Sequence, residues 1–136
     1  MLEGREMNRV PVSIHAEDER GNVLTVLYNY RVEYNGKAFL IPRGFESDGA
    51  SVPRLFWSLV FSPTDSHAAT AGICHDWIYR DQPEGWSREE ADRMFLALLI
   101  EFGVNVASAQ SAYLALRLFG GAAWDGNAQL KAETAK

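Results

Sequence analysis

A single cysteine, Cys74, among 136 residues leaves the chain without an internal disulfide. The fold must therefore stand on its apolar core and suits a reducing compartment. Basic residues are scarce: 13 Lys and Arg stand against 18 Asp and Glu, for a net charge of -5. Nucleic-acid binding needs a basic face to neutralise phosphates, and no run of Lys and Arg occurs, so a nucleic-acid partner is disfavoured. The apolar run from Leu96 to Ile100 is far too short to cross a bilayer, which takes about 20 residues. At the start, Met1 to Glu6 contains no basic stretch leading into an apolar one, so no secretory leader is expected. The sequence has neither an internal repeat nor a low-complexity segment.

Apolar residues make up 47% of the chain, enough for one core in a length usual for one domain. The reading is one α+β domain over residues 1–124, followed by a polar tail over 125–136 with no core-facing pattern. The first third has strand periodicity. Val10 to Ile14 is a short β-prone run, and Glu17 to Asn22 is a polar turn. From Leu24 to Tyr34 the even positions are apolar or aromatic, while Asn29, Arg31 and Glu33 take the odd side, the pattern of a half-buried strand. Asn35-Gly36 supplies the two positive-φ positions of a type I′ turn, which returns the chain along Lys37 to Ile41. The simplest topology is an N-terminal antiparallel three-stranded meander packed against two or three C-terminal helices.

Helix signals follow. Pro63-Thr64-Asp65-Ser66 offers N-caps for a helix over His67 to Arg80. Ser87-Arg88-Glu89-Glu90 is a capping box, Gly103 a stop, and Ala91, Phe95, Leu98, Leu99 and Phe102 the stripe between them. A third helix is expected over Val106 to Phe119, opened by Asn105 and closed by Gly120-Gly121. Its Ala107, Ser108, Ser111, Ala112 and Ala115 would permit close helix contact.

Chemistry concentrates at His75 and Asp76, two polar residues inside an apolar helix, where unpaired polar groups are costly. Neighbours on a helix point about 100° apart, so the two address different partners: His75 shares a face with Tyr79, Asp76 with Arg80. Asp92 lies on the flank of the next helix's apolar stripe, facing the neighbouring helix. If it accepts the Nδ1 proton of His75, Nε2 is left as a base. Alternatively Asp92 pairs with Arg88 or Arg93, and the whole set is a buried network that locks the helices together. The loop from Phe45 to Pro53 mixes small residues with Asp48, and Gly49 could bring its backbone close to a ligand or serve an ordinary turn. Cys74 points away from His75 and reads as a buried structural residue. His15 and His67 carry no pattern, and Trp57, Trp77, Trp86 and Trp124 read as core and rim anchors.

These segments resemble the domain-of-unknown-function 1353 family, small proteins found largely in tailed phages and prophages. The resemblance runs from about Phe45 to Trp124. It rests on Phe45, on Asp48 to Arg54 with Phe56-Trp57, on His75-Asp76 with Tyr79, on Ser87-Arg88 with Ala91-Asp92 and Phe95, and on Arg117 to Gly120 with Trp124. A looser likeness joins it: a His-Asp-x-x-Tyr helix followed by a helix bearing an Ala-Asp pair is similar to phospholipase A2. In that enzyme the histidine activates water, the adjacent aspartate holds calcium, and the aspartate of the second helix orients the histidine. This implies His75, Asp92 and Tyr79 as catalytic residues and Asp76 as a calcium ligand, with Asp48 and Gly49 standing in for the carbonyl-rich calcium loop. The glycine-rich loop and disulfides of those enzymes have no counterpart here.

The resemblances imply a phage or prophage protein made in the bacterial host cytoplasm. The first expectation is a protein of the virion or its assembly, in the tail or neck, retaining a hydrolase-like His-Asp centre, with other phage structural proteins as partners. The alternatives are a free metal-dependent hydrolase, phospholipase A2-like or directed at the cell envelope, with calcium as the candidate metal, and a host-interaction protein whose polar residues are structural. Oligomeric state stays open at this point.

Overall fold

A computed structural model describes residues 16–18, 23–47 and 66–134. Five strands precede four helices in these residues, so the α+β expectation holds. They are β1 (Ala16–Asp18), β2 (Leu24–Val26), β3 (Tyr30–Tyr34), β4 (Lys37–Ile41), β5 (Glu46–Ser47), α1 (Ser66–Asp81), α2 (Arg88–Glu101), α3 (Val106–Phe119) and α4 (Gly121–Thr134). The proposed strand at Val10 to Ile14 and the caps Pro63, Thr64 and Asp65 lie outside the described residues.

The strands divide between two antiparallel ladders. β3 and β4 form the expected hairpin, with Tyr34 opposite Lys37 and Val32 opposite Phe39. Asn35 (φ 53°) and Gly36 (φ 79°) make its turn, as a type I′ loop requires. The other ladder runs β1-β2-β5. One continuous strand was expected over Leu24 to Tyr34, but the chain leaves the ladder after Val26. The reason is the turn that follows β4. Val26 exchanges backbone bonds with this turn, accepting from the Gly44 amide at 2.8 Å and donating to the Phe45 carbonyl at 2.9 Å. The Arg43 amide donates to Asn29 Oδ1 at 2.7 Å, which fixes the break. Backbone donors thus outweigh side-chain alternation, and Tyr28 is exposed although its parity matches buried Val26 and Val32.

The helices follow their caps. At the start of α2 the Ser87 hydroxyl accepts from the Glu90 amide, and the Glu90 carboxylate accepts from the Ser87 amide, closing the capping box. Gly103 lies just past its end at φ 94°, a left-handed backbone that suits glycine. Asn105 accepts from the amides of Ala107 and Ser108 and opens α3. The stretch that reads as a polar tail is largely helical, in α4, which buries no side chain and so shows no apolar stripe to read. The core joins Val26, Val32, Phe39 and Ile41 of the strands to Ile73, Ile78 and Tyr79 of α1, Met94, Phe95, Leu98 and Leu99 of α2, and Ala109, Ala112 and Leu116 of α3.

Candidate functional site

His75 and Tyr79 sit one turn apart on α1, and Asp92 faces them from the first half of α2. All three are buried, and they meet at one carboxylate oxygen: His75 Nε2 lies 2.9 Å from Asp92 Oδ1, and the Tyr79 hydroxyl donates to the same oxygen at 2.7 Å. A carboxylate only accepts, so the imidazole carries its proton on Nε2. The expectation had the opposite nitrogen, Nδ1, facing Asp92. The space between α1 and α2 is bridged by Nε2, at the far end of the ring, and the ring is held between Tyr79 and Phe95, with centroids 4.3 and 4.9 Å away.

The second oxygen of Asp92 faces α3. Arg117 Nη1 donates to Oδ2 at 2.7 Å, and Arg88 Nη1, one turn before Asp92 on α2, approaches it at 3.5 Å. Arg88 also donates to the carbonyls of Leu116 at 3.0 Å and Arg117 at 3.3 Å, satisfying acceptors that the end of α3 would leave open. The partner choice left open between His75 and Arg88 thus resolves as both, while Arg93 pairs with Glu89. Burial pushes the Asp92 carboxyl toward protonation, but hydrogen bonds from His75, Tyr79 and Arg117 outweigh it and hold the group below its ordinary value. Tyr79 moves the other way. Burial, then the bond to Asp92 and its charge, raise its phenol far above the ordinary range against the pull of Arg88, so it remains a donor.

Asp76 addresses a different neighbour. The Ser47 hydroxyl, at the end of β5, donates to Asp76 Oδ2 at 2.8 Å, with both residues buried. Ser47 belongs to the loop from Phe45 to Pro53, in which the resemblance makes Asp48 and Gly49 a stand-in for the calcium loop. Asp48 and Gly49 themselves lie outside the described residues. A calcium site takes six to eight oxygens, and among the described residues no group of three or more His, Cys, Asp or Glu is placed to hold a metal ion. Cys74 is buried with its thiol pushed up to about 12 by burial alone, which suits an inert structural cysteine.

Two further residues complete the centre. Gly120, between α3 and α4, lets the backbone pass beside the site. A Cβ there would stand 2.7 Å from the Tyr79 hydroxyl, 3.2 Å from Arg88 Nη1 and 2.6 Å from the Leu116 carbonyl. Trp124 of α4 packs edge-on against the Tyr79 ring at 5.2 Å. Arg117, the second anchor of Asp92, belongs to no catalytic pattern in the sequence. Its signal is that it is the lone charge in a helix reading VASAQSAYLALRLF.

With this geometry in hand, comparison with known proteins finds one family model matching residues 24–116, which takes in His75, Tyr79 and Asp92. The chain belongs to the DUF1353 family, described as proteins of unknown function. Two uncharacterized proteins of Sinorhizobium fredii are similar to it. The protein y4iH is 28% identical over 89 residues, covering 65% of this chain and 36% of the relative. The protein y4jT is 29% identical over 86 residues, covering 63% of this chain and 25% of the relative. This DUF1353 chain therefore aligns with only about a third and a quarter of those relatives' lengths. No solved structure matches it. The DUF1353 match stops at Leu116, one residue before Arg117, so α4 and the second anchor of Asp92 fall beyond it. Among the described residues no helix is long and apolar enough to cross a membrane.

Proposed function

We propose that this is a phage- or prophage-type protein, associated with the virion or its assembly, that carries a hydrolase-like His-Asp centre. The observation behind the centre is the convergence of His75 Nε2 and the Tyr79 hydroxyl on one oxygen of a carboxylate that bonds from His75, Tyr79 and Arg117 together hold ionised. Base chemistry would run through the imidazole of His75, which Asp92 holds in place. The ring takes a proton from water as the oxygen attacks an ester carbonyl carbon, and Asp92 balances the imidazolium that forms. The imidazolium returns the proton to the departing alkoxide as the acyl C–O bond breaks. Tyr79 and Arg117 hold Asp92 in place rather than meeting a substrate. An ester in a lipid or cell-envelope component is the substrate class that fits. Calcium, if bound by Asp76 with Asp48 and the Gly49 carbonyl, would polarise that carbonyl. The phage setting draws its support from the sequence blocks that resemble tailed-phage proteins.

The test is fatty-acid release from mixed phospholipid vesicles by the purified chain, with millimolar calcium or with chelator. Calcium-dependent turnover that falls by about 100-fold or more in His75→Asn is the expected result. Mass spectrometry of purified particles tests the virion assignment separately. The complete burial of His75 and Asp92 favours a second reading, a purely structural network in a host-interaction protein. A folded chain with no turnover in either condition would select it.

A further inference from the structure

Helix α3 has one face in the core and one with no cover among the described residues. Ala109, Ala112 and Leu116 are buried, whereas Leu114 is 59% exposed and Leu118 74%. At 100° per residue, Ala107, Leu114 and Leu118 fall along the middle of the outer face, flanked by Gln110 and Ser111. No charged side chain lies there, because the lone charge of α3, Arg117, is bonded to Asp92. A solvated helix face is ordinarily rich in charge, so this one is built for contact.

We infer that the outer face of α3 is a two-fold interface that binds a second copy of this chain, helix against antiparallel helix. Size order along the face makes it self-complementary. Its N-terminal half carries the small Ala107 and Ser111, and its C-terminal half the large Leu114 and Leu118. Antiparallel pairing seats the leucines of one copy over the small pair of the other; parallel pairing would set leucine against leucine and leave a gap beside the alanines. Charge agrees with symmetry. Residues near a two-fold axis face their own copies, so a charge there would repel itself, and this face has none. Antiparallel packing also places opposite helix-dipole ends together. Apolar surface is available as well: Leu114 and Leu118, the two large residues of the face, stay more than half exposed in a single copy.

Sedimentation equilibrium of the full chain from about 1 to about 200 μM tests this, since a small apolar interface dissociates in the micromolar range. The expected mass is that of two copies at the high end. Leu118→Asp should raise the dissociation constant by about 100-fold or more with an unchanged circular dichroism spectrum. Gln110→Glu, a milder change at an exposed site, should weaken the dimer in the same direction by setting like charges close. Oxidising a mixture of Ala107→Cys and Leu118→Cys chains should give the mixed cross-linked pair. A chain monomeric across the whole range, or a dimer that both charge variants leave unchanged, would overturn the proposal. A cross-linked pair of Ala107→Cys chains with no mixed pair would overturn its antiparallel form.

Discussion

Asp92 is the residue on which the interior depends. Its two oxygens receive His75, Tyr79 and Arg117, so Asp92→Ala would strand three donors, two of them on buried residues. Breaking a buried charge network from one side costs about 3–5 kcal/mol, and urea midpoints should show a loss of that size. His75→Ala should cost less, about 1–3 kcal/mol, and the double variant less than the two losses added, because the second change removes a group already without its partner. Acid should act through the same group. Asp92 is held below the ordinary aspartate value of about 3.9, so the unfolded chain takes up its proton first. The stability it contributes is complete above about pH 4 and is lost as pH falls through the folded value. Glu90, lowered chiefly by its bond from Lys37, acts in the same direction. A plot of urea midpoint against pH should therefore fall below about pH 4, and Asp92→Asn should flatten that limb more than Glu90→Gln does. The pairing of His75 with Asp92 was legible because two polar side chains beside apolar stripes need partners. Which ring nitrogen does the bonding was not legible, since it depends on the gap between α1 and α2. Arg117 was half legible: a lone charge in α3 signals a need for a partner, but nothing local names an aspartate 25 positions away.

At the level of elements, caps carried most of what the sequence revealed. Ser87 and Asn105 open α2 and α3 where their side-chain chemistry placed them, because a cap acts on its own backbone two or three residues away and needs no tertiary partner. Ser87→Ala should accordingly cost about 1 kcal/mol. The strands were less legible for the complementary reason. Whether Leu24 to Tyr34 runs straight depends on the amides of Arg43 and Gly44, and alternation of side chains says nothing about those donors. Gly120 shows a third kind of constraint, one of space. Its backbone is right-handed, at φ -78° and ψ -12°, so torsion does not demand glycine there. Proximity does: a methyl group would meet the Tyr79 hydroxyl and the Leu116 carbonyl well inside contact distance. Gly120→Ala should destabilise by about 1–3 kcal/mol and should disturb Tyr79, read as a change in its near-ultraviolet dichroism. A neutral effect would mean that the turn between α3 and α4 can shift away from the site.

For the molecule as a whole, the helices are not equal partners. α1, α2 and α3 exchange buried side chains with one another and with the strands, and they contain every residue bonded to Asp92. α4 contributes no buried residue. It is attached by Trp124 against Tyr79, by Gln82 Nε2 donating to the Trp124 carbonyl at 2.8 Å, and by Lys131, which donates to the carbonyls of Asp81 and Gln82 at the end of α1. Two of these attachments involve residue 124, so the final two turns hang on the lysine. A helix of 14 residues is marginal in water without tertiary packing, since nucleation is costly and each residue adds little. The amides of residues 127–134 should therefore exchange with solvent by local opening, while those of the buried stretch of α2 should exchange only through global unfolding. Ending the chain after Gly126 keeps Trp124 and removes Lys131, and should cost about 1 kcal/mol while leaving the urea transition cooperative. Lys131→Ala should reproduce most of that loss. If the shortened chain unfolds, or if the end of α4 is protected as well as α2, then α4 belongs to the cooperative core and its polar contacts carry far more stability than exposed hydrogen bonds normally do.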